Sequence, residues 1–167
     1  MLKLFILRHG HAEEPARNSD TKDFDRKLTE EGIEKITRVG SFFNNLDEKI
    51  DLILISPYVR AKETAEVFLN CLEIKPPTET VDFLACGSSS VEIARGLSKY
   101  INNESILLIG HCPDLEVLLC KLISAESVTL KKGSMAKIRL NNGIELSGSL
   151  EWLITPKLVK KIKSKKS

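Results

Sequence analysis

Three nearly unbroken apolar runs recur along the chain, and each ends abruptly in polar or charged residues. They cover residues 4–7, 50–55 and 105–109, and a shorter strand-like run follows at 78–84. Apolar runs of this kind are typical of strands that are buried on both faces of a parallel sheet. We therefore predict three buried strands and one short strand.

Apolar residues between these strands recur three and four positions apart, which is the period of a helix with one buried face. A serine or threonine before such a segment, or a proline at its first position, marks the start of the helix. The predicted helices run from the Thr29 cap to about Asn45, onward from Ser56-Pro57, over 91–100, and onward from Pro113.

The last part of the chain changes to shorter strand-like runs, 134–140 and 144–154, which flank the sequence Asn141-Asn142-Gly143. An Asn-Gly pair between two such runs predicts a hairpin. Strands that alternate with helices and then give way to a hairpin predict an α/β fold. We expect a three-layer α/β/α sandwich with a mostly parallel central sheet and an antiparallel C-terminal piece.

The chain of 167 residues is long enough to bury one full core. We predict a single domain over residues 1–156, followed by a basic C-terminal tail over 157–167. The tail holds six lysines and no acidic residue, which is typical of a solvated, frayed terminus. The net charge of +2, from 25 basic and 23 acidic side chains, is too balanced to indicate a nucleic-acid partner.

The N-terminal residues and the cysteines are the features from which we predict the cellular compartment. The apolar stretch before Arg8 is too short for a signal peptide, and no run reaches membrane-spanning length, so we expect a cytoplasmic protein with no membrane partner. The cysteines show neither close pairing nor a Cys/His metal pattern. We therefore assign no metal site and no cofactor, and we expect reduced thiols.

Cationic and imidazole side chains follow the three buried strands. Arg8 and His9 end the first strand, Arg60 lies in the first turn of the helix after the second, and His111 follows the third. Because parallel strands share a carboxyl edge, these groups can converge there. Gly10 allows the chain to turn and a ligand to approach the backbone. Each residue alone could be a surface cation, but their recurrence at one edge favours a phosphate site.

The residues of this edge belong to an ordered set of motifs. The set is Leu7-Arg8-His9-Gly10, Leu28-Thr29-x-x-Gly32, Ser56-Pro57-x-x-Arg60-Ala61-x-x-Thr64-Ala65 and Gly110-His111-x-Pro113. In order and spacing it resembles the histidine phosphatase superfamily, and most closely the small phosphohistidine phosphatase branch, of SixA type. The resemblance covers nearly the whole chain up to Pro156.

The resemblance implies a metal-independent phosphatase that works through a covalent phosphohistidine intermediate. His9 would be the nucleophile, with Arg8 and Arg60 keeping its imidazole neutral. Arg8, Arg60 and His111 would bind the phosphate oxygens and stabilise the charge on them in the transition state. Gly10 would belong to the substrate-binding set.

The chain departs from the superfamily pattern at the general acid. Members that act on phosphate monoesters commonly use a carboxylate between the positions of Arg60 and His111, in the loop that here follows the short strand, but residues 84–87 contain none. Asp82 is the candidate general acid, and an ordinary surface aspartate is the alternative interpretation. An alkoxide leaving group needs a proton donor, whereas a phosphoramidate nitrogen is basic and can leave already protonated. This difference favours phosphohistidine on a protein as the substrate.

Two alternative functions stay open at this point. One is a phosphatase or mutase for a small phosphoester, which would require a carboxylate at the site. The other is a phospho-ligand binding module without catalysis. His11 stays outside the catalytic set, because a loop histidine with no role in the site is as good an explanation as a contact with the ligand. The sequence identifies neither the partner protein nor the oligomeric state.

Overall fold

Six strands form one mixed sheet in the computed structural model, which describes residues 2–15, 23–141 and 146–164. They are β1 (Lys3–Arg8), β2 (Leu52–Ile55), β3 (Thr78–Thr80), β4 (Ser105–Gly110), β5 (Met135–Leu140) and β6 (Gly148–Ile154). Their order across the sheet is β3-β2-β4-β1-β5-β6. The strand that leads to His9 therefore lies inside the sheet, between β4 and β5.

The first four strands pair in parallel, with β1 beside β4, β4 beside β2 and β2 beside β3. Strand β5 pairs antiparallel with β1, and β6 pairs antiparallel with β5. The predicted parallel sheet with an antiparallel C-terminal piece is confirmed. The predicted Asn141-Asn142-Gly143 turn lies mostly outside the described residues, which omit 142–145.

Helices cover both faces of this sheet. Those in the described residues are α1 (Glu30–Phe43), α2 (Val59–Leu69), α3 (Ser90–Leu97), α4 (Asp114–Ile123) and α5 (Pro156–Ser164). Phe5 and Leu7 of β1 pack in a cluster with residues of α1, α2 and α5, whereas Leu4 and Ile6 pack with residues of α3 and α4. The alternation along one strand confirms the three-layer sandwich. None of these helices has the length and apolar character needed to cross a bilayer.

The start of α1 agrees with the prediction from the sequence, whereas the starts of α2 and α4 differ from it. Thr29 caps α1 as predicted, because its Oγ1 accepts a hydrogen bond from the Gly32 N–H at 3.1 Å. The prediction that α2 starts at Ser56-Pro57 was wrong: the helix begins at Val59, after Tyr58. The helix α4 likewise begins at Asp114 and not at Pro113, whose peptide bond with Cys112 is cis.

The C-terminal segment differs from the expected frayed tail over its first part. Helix α5 packs on α1, and Val159 is fully buried in the cluster between α1, α2 and the sheet. The exposed Lys157 and Lys160 flank it on the outer surface. A buried apolar side chain explains why the helix is ordered despite the basic sequence. The division of the chain at 156/157 stays a prediction, and residues 165–167 lie outside the described residues.

Candidate active site

The four residues predicted from the strand ends line one cavity. Arg8, His9, Arg60 and His111 border a space of about 250 Å³ at the carboxyl edge of the parallel strands. The other residues that border it are Arg26, Cys86, Cys112 and Lys132. The convergence expected from the parallel topology is thus present in the structure.

Strands β1 and β4 place the two histidines side by side. In the parallel register Arg8 is opposite Gly110, so that His9 and His111 leave the sheet at the same level. The His9 N–H donates to the Gly110 carbonyl at 3.0 Å, which extends the ladder by one step. The centroids of the two imidazole rings lie 5.1 Å apart. Both rings therefore border the cavity from adjacent strands.

The orientation of the His9 ring is fixed by its own neighbour. Its Nδ1 lies 2.7 Å from the carbonyl oxygen of Gly10. Because a carbonyl only accepts, Nδ1 must carry the proton, and Nε2 keeps a free lone pair. Burial is the main cause that lowers the pKa of His9 to about 3, and nearby His111, Arg60 and Arg8 lower it further. The ring is therefore neutral near pH 7.

His111 is held by Ser56, a residue that the sequence analysis assigned to a helix cap. Ser56 Oγ lies 2.7 Å from His111 Nε2 and accepts the Tyr58 N–H at 3.4 Å. The hydroxyl proton is then free to be donated to Nε2, which leaves the proton of the neutral ring on Nδ1. Burial, followed by the charge of Arg60, lowers the pKa of His111 to about 4. Like His9, this histidine is neutral near pH 7.

Arg60 is held on its outer side by Asp23 and lies near an aromatic ring. Its Nη1 donates to the Asp23 carbonyl at 2.6 Å, and its Nη2 donates to Asp23 Oδ2 at 3.0 Å. The guanidinium carbon lies 4.8 Å from the centre of the Tyr58 ring. With an exposed fraction of 3%, Arg60 is a buried cation that three contacts fix in place.

Arg8 is anchored from the other side of the cavity. Its Nη1 donates to the Leu130 carbonyl at 2.7 Å. The Gly133 N–H donates to the carbonyls of both Arg8 and His9, at 3.2 and 3.1 Å. The segment that contains Leu130 and Gly133 also brings Lys132 to the cavity. No local sequence signal marked this lysine, because its position depends on the fold of a distant segment.

Three buried nitrogens of the cavity residues have no hydrogen-bond partner in the described part of the protein: Arg8 Nε, Arg60 Nε and His111 Nδ1. Leaving a buried donor unpaired costs about 1–3 kcal/mol. Two of the three are guanidinium N–H groups, and the third carries a proton in the tautomer that Ser56 favours. Donors of this kind match the oxygen atoms of a phosphate group.

Gly10 and its N–H have structural partners in the protein. The N–H donates to Thr64 Oγ1 at 3.1 Å, and Thr64 in turn donates to the Arg60 carbonyl at 2.6 Å. A Cβ at Gly10 would lie 3.0 Å from Ile36 Cγ1 of α1, and Gly10 does not border the cavity. A glycine is needed here because helix α1 approaches the backbone closely, whereas the sequence predicted that a ligand would approach it.

Asp82 is not among the residues that border the cavity. It is exposed at the start of a 3₁₀ turn, Asp82–Leu84, and the residue of this loop that does border the cavity is Cys86. Cys86 Sγ is 3.5 Å from Arg60 Nη2. His11 is also absent from the cavity border. Among the bordering residues of the described chain, none is a carboxylate.

Two further charged residues were missed by the sequence analysis. Arg26 borders the cavity, and its Nη1 donates to Asp23 Oδ1 at 2.6 Å. Both come from the stretch 12–27, whose sequence has neither helical nor strand periodicity and so carries no local signal for a site residue. With Arg8, Arg60 and Lys132, the cavity carries four cations beside two neutral histidines. The described residues hold no cluster of His, Cys, Asp and Glu that could bind a metal ion.

Comparisons of the sequence and of the structure with known proteins identify relatives of this chain. The family model of the histidine phosphatase superfamily (branch 1) matches residues 4–85. Phosphohistidine phosphatase SixA of Escherichia coli is 26% identical over 160 residues, which is 93% of this chain and 94% of SixA. An uncharacterized protein of Picosynechococcus sp. is 31% identical over 116 residues, or 68% of each chain. The structure of the protein histidine phosphatase SixA complexed with tungstate matches with a TM-score of 0.83 at 24% identity, covering 93% of this chain and 98% of the other.

Proposed function

Because this chain belongs to the histidine phosphatase superfamily, in its SixA-type branch, and is a hydrolase acting on phosphate, we propose that it removes phosphate from phosphohistidine on a protein. The observation that carries the proposal is the state of His9. Its Nδ1 is bound to the Gly10 carbonyl, so a neutral ring offers Nε2 to a cavity lined by four cations. This is the arrangement that an attack on an anionic phosphoryl group requires.

His9 is the proposed nucleophile. Its Nε2 forms a bond to phosphorus while the bond between phosphorus and the substrate nitrogen breaks, and that electron pair stays on the substrate imidazole. Water then attacks the phosphorus, the bond to Nε2 breaks, and inorganic phosphate leaves. The reaction runs without a metal ion, because the arginines offset the phosphate charge.

Arg8, Arg60 and His111 are the proposed phosphate ligands. Arg8 Nε, Arg60 Nε and His111 Nδ1 are buried and have no partner in the described part of the protein, and we assign phosphate oxygens as their acceptors. Because protein contacts hold all three side chains before substrate binds, they need little reorganisation in the transition state. Gly10 lies close to Ile36 of α1 and does not border the cavity, so its place in the substrate-binding set stays a prediction.

No carboxylate of the described residues borders the cavity, and the Asp23 carboxylate beside Arg60 is kept ionised by its two arginine partners, which lower its pKa. Neither supplies a proton to a leaving group, and this favours a phosphoramidate substrate over a phosphoester. Asp82 is exposed and is not among the residues that border the cavity. The alcohol part of a phosphoester leaves as an alkoxide, which is a poor leaving group without an acid. The imidazole of a phosphohistidine, in contrast, leaves readily. The basic rim formed by Arg26 and Lys132 suits a phosphorylated side chain on another protein.

The test is an assay with a phosphohistidine peptide beside a panel of phosphoesters that includes a sugar phosphate. We expect the peptide to have the highest kcat/KM, with no loss of rate in EDTA. We expect no turnover by His9→Ala, and normal turnover by the control His11→Ala, which changes a neighbouring histidine outside the cavity. Alkaline quenching and mass spectrometry should find a phosphoryl group on His9 during turnover.

Two results would favour the other functions considered above. Faster turnover of a sugar phosphate, lost in Asp82→Asn, would indicate a phosphatase or mutase for small phosphoesters. Failure to release phosphate from every substrate, with phosphate binding unchanged in His9→Ala, would indicate a binding module.

A further inference from the structure

A carboxylate lies between two of the cations that border the cavity. Asp23 Oδ2 is 3.0 Å from Arg60 Nη2, and Asp23 Oδ1 is 2.6 Å from Arg26 Nη1. The Asp23 side chain is 51% exposed, whereas that of Arg60 is only 4% exposed. The carboxylate therefore lies on the solvent side of Arg60, where the part of a substrate beyond its phosphoryl group would emerge.

An aromatic pair lies beside this carboxylate. The Phe24 ring is 4.8 Å from the Tyr58 ring, and the Tyr58 ring is 4.9 Å from that of His111, between centroids. Phe24 is 40% exposed. The two rings thus lead from the cavity to the protein surface, next to Asp23.

A carboxylate next to aromatic faces recognises a flat cation that has an N–H donor. The carboxylate accepts the N–H bond, and the ring faces attract the positive charge. The imidazolium ring of a phosphohistidine has both properties. A phosphoester has neither, and a carboxylate near its leaving oxygen repels the developing negative charge.

We propose that Asp23, together with Phe24 and Tyr58, forms a subsite for the imidazolium ring of the phosphohistidine substrate. The proposal rests on the function proposed above and adds the residues that select the leaving group. Asp23 is a specificity-determining residue in this scheme, and Arg60 retains its contact with phosphate.

The transfer step balances without a further reactant. The substrate binds with its distal ring nitrogen protonated, and that N–H donates to the Asp23 carboxylate. As the bond from phosphorus to His9 Nε2 forms, the bond from phosphorus to the substrate nitrogen breaks and its electron pair stays on that nitrogen. The product is a neutral histidine side chain, so no proton has to be delivered during the step.

The ionisation state of Asp23 is compatible with this role. Burial raises its pKa, but the hydrogen bonds from Arg26 and Arg60 outweigh this and hold the pKa of Asp23 below its ordinary value. The carboxylate is therefore charged near neutral pH, where it can accept the N–H of a protonated substrate imidazole.

The experiment compares two substrates, a phosphohistidine peptide and p-nitrophenyl phosphate, on the wild type, Asp23→Asn and Asp25→Asn. Asp25 is an exposed matched control, and it forms no ion pair with Arg26 or Arg60 in the described structure. We expect Asp23→Asn to lower kcat/KM for the peptide at least about tenfold, since a hydrogen bond to a charged group is lost. For the ester we expect a decrease several-fold smaller than for the peptide, because the Asp23 carbonyl still accepts the hydrogen bond from Arg60 Nη1. We expect no change with either substrate in Asp25→Asn.

Inhibition by inorganic phosphate shows whether Asp23→Asn has only displaced Arg60. Equal losses on both substrates, accompanied by weaker phosphate inhibition, would overturn the proposal and leave Asp23 as a support for Arg60. Unchanged turnover of the peptide would overturn it as well. A wild-type enzyme that hydrolyses the ester but not the peptide would instead refute the proposed function on which the subsite rests.

Phe24→Ala gives a second, independent measurement. We expect it to raise KM for the peptide more than for p-nitrophenyl phosphate, because the flat ring of the ester lacks the positive charge that the Phe24 and Tyr58 faces attract. Equal changes for both substrates would count against the aromatic part of the subsite.

Discussion

Ser56 Oγ lies 2.7 Å from His111 Nε2, and this contact joins the end of β2 to the end of β4. Both side chains are buried, with exposed fractions of 0% for Ser56 and 2% for His111. The hydroxyl sets the orientation of the imidazole and, through its proton, favours a donor at Nδ1. Ser56 therefore belongs to the site although it makes no contact with the cavity itself.

Ser56→Ala should lower kcat/KM by roughly 5–10-fold, because one hydrogen bond that orients His111 is lost. Steady-state kinetics on the phosphohistidine peptide would measure the change. Ser134→Ala is the matched control, since Ser134 is equally buried but its Oγ has no partner in the described structure. Equal activity of Ser56→Ala and wild type would exclude an orienting role for Ser56.

The two buried histidines should make the protein less stable as the pH falls below 6.5. Their pKa values are lowered to about 3 for His9 and about 4 for His111, so the unfolded chain binds protons that the folded chain does not. The stability that is complete above pH 6.5 is then lost by about 1.4 kcal/mol per pH unit for each histidine, down to the folded pKa.

Denaturant unfolding at about pH 7, 6 and 5 would measure this loss, and His9→Asn supplies the comparison because it removes one of the two titrating groups. The variant should show a smaller loss between pH 6 and 5 than the wild type. The carboxylates titrate alike in both proteins, so their contribution to the pH dependence cancels when the two are compared. Equal pH dependence of the two proteins would contradict a lowered pKa at His9.

Arg60→Ala should weaken inhibition by inorganic phosphate by about 10–100-fold and lower turnover as well, because a charge-assisted donor pair is removed. Arg60→Lys should restore little of this, since a lysine lacks the planar fork that contacts Asp23 and that we assign to phosphate as well. Arg38→Ala, at an exposed pair with Glu34 on α1, is the control and should bind phosphate normally. Full rescue by lysine would argue against a fork-shaped contact.

Gly32→Ala should destabilise the protein by at least about 2 kcal/mol. A Cβ at this position would lie 2.1 Å from the His11 carbonyl oxygen, so the chain just after His9 would have to move. Gly110→Ala is the contrast, because its Cβ would be 3.5 Å from Leu115, an ordinary contact. Thermal unfolding of both variants would check the difference, and similar melting temperatures would refute it.

The main parts of the site could be predicted from local sequence because strands impose simple geometry. An apolar run followed by Arg8-His9, and another followed by Gly110-His111, place those side chains at one edge as soon as the strands are parallel. The three-layer fold follows from the same runs and from the helical periods between them. These inferences need no knowledge of side-chain packing.

The remaining parts depend on contacts that no local pattern encodes. Asp23 and Arg26 come from a stretch without periodicity, and Lys132 is placed through the bonds of Gly133 to the strand end. Ser56 was interpreted as a cap because Ser-Pro is a common helix start, but its hydroxyl has His111 as a partner. The order of α5 depends on the buried Val159, whose surrounding lysines suggested a solvated tail.

The site residues that follow β1 and those on connecting segments differ in how much sequence change they tolerate, because β1 lies between β4 and β5. The strand that leads to His9 is paired on both sides, so substitutions along it disturb two neighbouring strands. Asp23, Phe24 and Lys132 belong to connecting segments, which accept substitutions more readily. Substitutions in these connecting segments are therefore expected to change the outer part of the proposed site while the strand that leads to His9 stays intact.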